Sequence, residues 1–123
     1  YVDTPGIHEG IDIKRYDGAN VYAVISGEIT RAGDGDYNTV AIYDRQNEKT
    51  VVYLHFKSAV QGLRVGQTVT KGSLIGYQGN KGAPQGSHVH IEVRDGKRQS
   101  AANSVNDYRE DNADPYPYWD KVL

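Results

Sequence analysis

The chain has 123 residues, no cysteine and a net charge of -2. That is one domain, large enough to bury a core without disulfides. Absence of cysteine rules out disulfide staples, cysteine-ligated zinc and a thiol nucleophile, and the balanced charge gives no basic surface for nucleic acid. No apolar run within these residues approaches the length of a membrane span or has the pattern of a signal peptide. The first residue is Tyr1, not Met, so residues 1–123 read as a single domain excised or processed from a longer chain.

In chain order, short β-branched runs alternate with turn signals, the pattern of an all-β domain. Gly10 to Ile13 alternates apolar and polar residues and reads as a short strand. Val21 to Ile25 runs into Gly27, and Glu28 to Arg31 continues beyond it. Asp34-Gly35-Asp36 is a turn. Thr39 to Asp44 alternates, Arg45 to Lys49 is a polar hairpin loop, and Thr50 to His55 pairs back. Gly62 to Val69 carries Leu63, Val65 and Val69 among Gly and Gln. Leu74 to Gln78 is a strand, and Gly79 to Gly86 is a loop. Ser87 to Arg94 is the clearest strand, with Val89, Ile91 and Val93 on one face and His88, His90 and Glu92 on the other. No window has convincing helical period. Ala101 to Arg109 comes nearest but is polar and short. The tail from Asn112 to Leu123 holds two prolines and is expected to be irregular, with Tyr116, Tyr118 and Trp119 lying on the sheet.

The four histidines carry the chemistry. His8 and Asp12 are an even number of residues apart, so an extended chain keeps both on one face. His88 and His90 share a strand face, and His55 closes an apolar strand. Each group alone also fits a solvated surface position. Glu92 reads as a solvated carboxylate on the open face, with orientation of a histidine as the other reading. Together the five groups suit metal-assisted hydrolysis. A catalytic zinc takes three protein ligands and keeps one position open, which leaves two groups for proton chemistry.

These residues bring a family into view. The chain resembles the lysostaphin-type, or LytM-like, zinc endopeptidases in three ordered motifs: His8-Glu9-Gly10-Ile11-Asp12, Tyr53-Leu54-His55 and His88-Val89-His90-Ile91-Glu92. Val21 to Gly27 resembles the family's second strand, Val65 to Gly76 its Gly-Gln segment, and Asn80-Lys81-Gly82 the loop before the last catalytic strand. The resemblance covers about Gly6 to Val93. It implies a small antiparallel β domain whose active-site groove is walled by loops. It also implies zinc (Zn²⁺) held by His8, Asp12 and His90, with His55 and His88 as the catalytic pair. We assign His88 to the water proton and His55 to the oxyanion; the reverse division stays open.

The substrate implied is peptidoglycan, cut in a stem or cross-bridge peptide outside the cytoplasm, by a secreted, periplasmic, wall-associated or virion-associated protein. Two departures stand out. Only seven residues precede His8, where the family has a further strand and groove wall, and Ser87 replaces a common Pro. A wall-binding or localising segment upstream of Tyr1 is expected. The alternative is a zinc-binding, non-catalytic relative acting as a scaffold or signalling module, but such relatives usually lose one of these five groups. A lipoyl-like carrier would explain Val65 to Gly76 and leave the histidines without a role.

Overall fold

The computed structural model describes residues 10–83, 86–102 and 111–122 in full, and the main chain of residues 3–4 and 7–8. A hairpin of β1 (Asp3–Thr4) and β2 (Ile7–His8) opens the chain. The strands after it are β3 (Ile11–Ile13), β4 (Asn20–Tyr22), β5 (Gly27–Asp34), β6 (Thr39–Asp44) and β7 (Lys49–Leu54). They are followed by β8 (Phe56–Ala59), β9 (Thr68–Val69), β10 (Leu74–Gln78) and β11 (Val89–Asp95), and a helix α1 (Pro115–Val122) closes the chain. Six strands form one antiparallel sheet in the order β3-β11-β7-β6-β5-β9, and three form a second sheet in the order β4-β10-β8. The all-β expectation holds.

The core lies between these layers. Val40, Ile42, Val51, Tyr53, Val89, Ile91 and Val93 project from one face of the large sheet into a cluster with Ile25, Phe56 and Ile75. Period-two alternation sends their neighbours to the opposite face, where Ala41, Val52 and Leu54 form a second buried cluster. Register then places the candidate site side chains. Asp12 pairs with His90 and His90 with Leu54, so the three form a row across three strands. One step along, Glu92 pairs with Val52 and Val52 with Ala41, on the face opposite the core.

Strands β6, β7, β10 and β11 fall where the sequence places them. The stretch from Val21 to Arg31 does not run as one strand: β4 belongs to the small sheet and β5 to the large one. Between them Ala23 is bonded on both sides of its peptide to the turn at Gly72-Ser73, which pulls the chain out of extended pairing. At Gly27 a Cβ would meet the Tyr43 carbonyl oxygen at 2.3 Å, so only glycine lets β5 start this close to β6. In the expected strand from Gly62 to Val69, only Thr68–Val69 pairs. Strand β8 is not apparent in the sequence because Lys57 and Ser58 are exposed and only Phe56 is fully buried.

The tail is helical rather than irregular. The first turn of a helix needs no main-chain acceptors for its N–H groups, so Pro115 and Pro117 cost no hydrogen bond there. Asp114 Oδ1 accepts from Tyr116 N at 3.1 Å and caps the turn, and Lys121 suits the last turn. Residues 103–110, most of the polar window from Ala101 to Arg109, lie outside the described residues.

Helix α1 docks through Tyr118, which is buried in the core and donates its hydroxyl to Asp44 Oδ2 at 2.9 Å. Burial raises the Asp44 pKa, but hydrogen bonds from Asn47 and Tyr118 outweigh it and hold the carboxyl below its ordinary value. A carboxylate depressed in the folded state stabilises the fold above its unfolded pKa, and that stability is lost as pH falls through the folded pKa. Tyr118→Phe should therefore cost about 1 kcal/mol at neutral pH. In urea unfolding the gap from the parent should narrow as Asp44 becomes protonated; equal stabilities at neutral pH would show that this bond does not hold the helix.

Candidate active site

The site is built at the end of β11. Its first component is the pair Asp12 and His90, neighbours across two antiparallel strands. His90 Nδ1 lies 2.7 Å from Asp12 Oδ1. Close approach of the preceding loop depends on Gly10, which has φ 125°; a Cβ there would meet the Ile91 carbonyl oxygen at 2.5 Å and the His90 ring at 2.9 Å.

The other ring nitrogen, His90 Nε2, lies 3.0 Å from Glu92 Oε1. Glu92 is 0% exposed, which overturns its reading as a solvated carboxylate. Its second oxygen accepts from Ala102 N at 2.9 Å and Asn112 Nδ2 at 3.2 Å. A buried charge must be hydrogen-bonded to be tolerated, and here both carboxylate oxygens are.

His55 and His88 form the second component, with ring centroids 4.8 Å apart. His55 sits between β7 and β8 at φ 72°, in the left-handed region that side chains other than glycine rarely adopt. Three bonds hold it there. Its N–H donates to the Tyr37 carbonyl at 2.7 Å, its carbonyl accepts from Gly79 N at 3.0 Å, and its Nδ1 lies 2.7 Å from the Lys81 carbonyl. His88 Nδ1 faces the Gly86 carbonyl at 3.0 Å. In both rings a carbonyl takes the Nδ1 proton and leaves Nε2 free to act. His88 Nε2 is 3.9 Å from Asp12 Oδ1.

Gly79 ties the two histidines together. Its N–H reaches His55, its carbonyl accepts from His88 N at 3.1 Å, and a Cβ on it would lie 2.4 Å from Lys57 N. Beneath them Gln78, 2% exposed, bonds Arg15 N and O and Ser87 Oγ. The Ser87 hydroxyl in turn donates to Asp17 Oδ1 at 2.9 Å. Serine in place of proline thus adds a tie between this loop and the β3–β4 connection, which proline lacks the hydroxyl to make.

Gln78, Asp17 and Tyr37 carry no local signal in the sequence that links them to the site. The Tyr37 ring meets the His55 ring edge-on at 5.7 Å and is half exposed, so it borders the site. Ten tyrosines offered no basis for choosing it. The main chain of His8 lies in β2, and its side chain falls outside the described residues. Among the described residues no group of three metal-binding side chains is present. Asp12 and His90 are the two expected ligands whose side chains are described.

Electrostatics differ across the site. Burial lowers the His55 pKa, and the neighbouring His88 and His90 charges add to that against the Lys81 hydrogen bond, so the ring is neutral at rest. Burial also works against charged His90, but the hydrogen bonds and charges of Glu92 and Asp12 prevail and raise its pKa. A neutral imidazole has one N–H. Once Glu92 accepts it, the Nδ1 lone pair and the Asp12 oxygen face each other at 2.7 Å. Two acceptors so placed call for a shared cation, a proton or a metal ion. The donor set fits zinc, which takes imidazole and carboxylate together.

An imidazole–carboxylate pair beside two further imidazoles, on an antiparallel β domain, is an arrangement suited to metal-assisted hydrolysis. The chain belongs to peptidase family M23, whose model matches residues 6–103. Over 90 residues it is 30% identical to lysostaphin of Staphylococcus staphylolyticus, a match that takes in 71% of this chain and 18% of that protein. The catalytic domain of the antimicrobial peptidase lysostaphin from Staphylococcus simulans aligns at a TM-score of 0.71 and 25% identity, over 92% of this chain and 79% of that one. A zinc containing peptidase from Vibrio cholerae aligns at a TM-score of 0.63 and 30% identity, over 70% of this chain and 26% of that one. The chain spans about a fifth of the length of the curated relatives it matches. Among the described residues no helix is long and apolar enough to cross a membrane.

Proposed function

We propose that this domain is a zinc-dependent endopeptidase that hydrolyses peptide bonds in the stem or cross-bridge peptides of peptidoglycan, outside the cytoplasm. The observation that carries this reading is His90, held between Asp12 and the buried Glu92, with the His55 and His88 rings beside it. Asp12, His90 and His8 would hold the metal. When bound, zinc supplies a Lewis acid for the scissile carbonyl and lowers the pKa of water towards about 7.

The remaining roles belong to the chain's own side chains. His88 Nε2, 3.9 Å from Asp12 Oδ1, accepts the proton of the attacking water and returns it to the leaving amine. His55 stands across from it and binds the developing oxyanion as an imidazolium. Its resting ring is neutral, so this role requires uptake of one proton from solvent. The exposed edge of Tyr37 offers a surface for the substrate chain beside His55.

Purified walls of several chemotypes should release new amino termini when treated with the zinc-loaded protein. Chelator should abolish the release and zinc should restore it. Fully bound zinc with no new termini from any wall would replace this reading with the non-catalytic binding module.

A further inference from the structure

The hydrogen bonds around Glu92 lead away from the site to a part of the chain that the reaction does not otherwise use. Asn112 lies 22 positions after His90 in the sequence, yet it is bridged to Arg94 on β11 and is 5% exposed. Both ends of its amide are committed. Nδ2 donates to Glu92 Oε2 at 3.2 Å, and Oδ1 accepts from Arg94 Nε at 2.9 Å. The opposite charges on either side fix which way the amide points. Arg94, 3% exposed, also donates to the Ser100 carbonyl at 3.0 Å, and Arg98 pairs with Asp111 at 3.0 Å. Ala101 packs on the cluster of Ala41, Val52 and Leu54, and Ala102 N donates to Glu92. The chain from Arg98 to Ala102 and the residues around Asn112 therefore help seal the face that carries Glu92.

We infer that Asn112 is a positioning residue for the metal site, acting through Glu92 on His90. One oxygen of Glu92 holds His90 Nε2, and the other is pinned by Asn112 and Ala102, so the carboxylate cannot rotate away from the ring. This fixes the His90 tautomer and turns its Nδ1 lone pair towards Asp12. Partners of this kind behind a metal-ligating histidine typically change metal affinity by about 10–100-fold. The described residues after β11 thereby contribute to the site although none of them is a proposed ligand or catalytic group. The inference rests on the metallopeptidase reading for its zinc arm only.

Two measurements on the whole chain test it. In the zinc-free protein the His90 Nε2 proton should give a slowly exchanging NMR resonance. Asn112→Ala and Glu92→Gln should each lose that signal to exchange. In chelator competition both variants should bind zinc about 10–100-fold more weakly than the parent. The double variant should bind no more weakly than Glu92→Gln alone, because Asn112 acts through Glu92.

Asn112→Asp keeps an acceptor for Arg94, removes the donor to Glu92, and serves if the alanine variant fails to fold. Tyr118→Phe loosens a distant contact and should leave both readouts unchanged. Parent-like resonance and affinity in the folded Asn112 variants would overturn the proposal, as would losses that simply add in the double variant. If the parent itself takes up no zinc, the peptidase reading fails, and the resonance alone decides whether Asn112 positions His90.

Discussion

His55→Ala and His88→Ala should retain zinc and lose wall hydrolysis, each by about a hundredfold to ten-thousandfold, the usual contribution of a positioned proton donor or acceptor. Zinc content and the rate of release of amino termini, measured on the same preparations, check this. Parent-like rates in both variants would show that the domain moves protons by another route. The pH dependence separates the two roles. Only the imidazolium form of His55 can donate to an oxyanion, and its pKa lies below the ordinary imidazole value. The ratio of the parent rate to the His55→Ala rate should therefore fall as pH rises through that pKa. A ratio that grows over the same range would make His55 the base and reverse the assignment.

Asp12→Ala and His90→Ala should have a larger effect still, emptying the site and abolishing turnover. His90 is the more informative of the two because it bridges two carboxylates. In His90→Ala the buried Glu92 loses its ring donor and keeps Ala102 and Asn112. Removing one partner of a buried carboxylate typically costs about 1–3 kcal/mol, so this variant should be less stable than Asp12→Ala, whose side chain is half exposed. Full zinc occupancy in both variants would show that the ligands were chosen wrongly.

Much of this site was legible in the residues. Alternation along Val89–Asp95 separates core side chains from functional ones, and the structure keeps that division. The hairpin of Thr39–Asp44 and Lys49–Leu54 could be read from its polar turn, and it puts Leu54 beside His90 and His55 next to the site. What escaped depends on contacts between distant segments. Nothing local in Glu92 says that it is buried, since its cover comes from Ala102 and Asn112, in a polar stretch without apolar period. The two prolines near the end read as helix breakers, yet both fall in a first turn capped by Asp114. The tie made by Ser87 could not be read locally because its partners, Gln78 and Asp17, come from other parts of the chain.

Asp12 and His90 are proposed here as two ligands of one zinc ion, with His8 the third. Diffraction data from zinc-loaded crystals on either side of the zinc absorption edge test it most directly. A single anomalous peak is expected, bounded by the Asp12 carboxylate, His90 Nδ1 and the His8 ring, with His55 and His88 close by but not bound to it. A peak held by His55 or His88 instead, or no peak between Asp12 and His90, would contradict it.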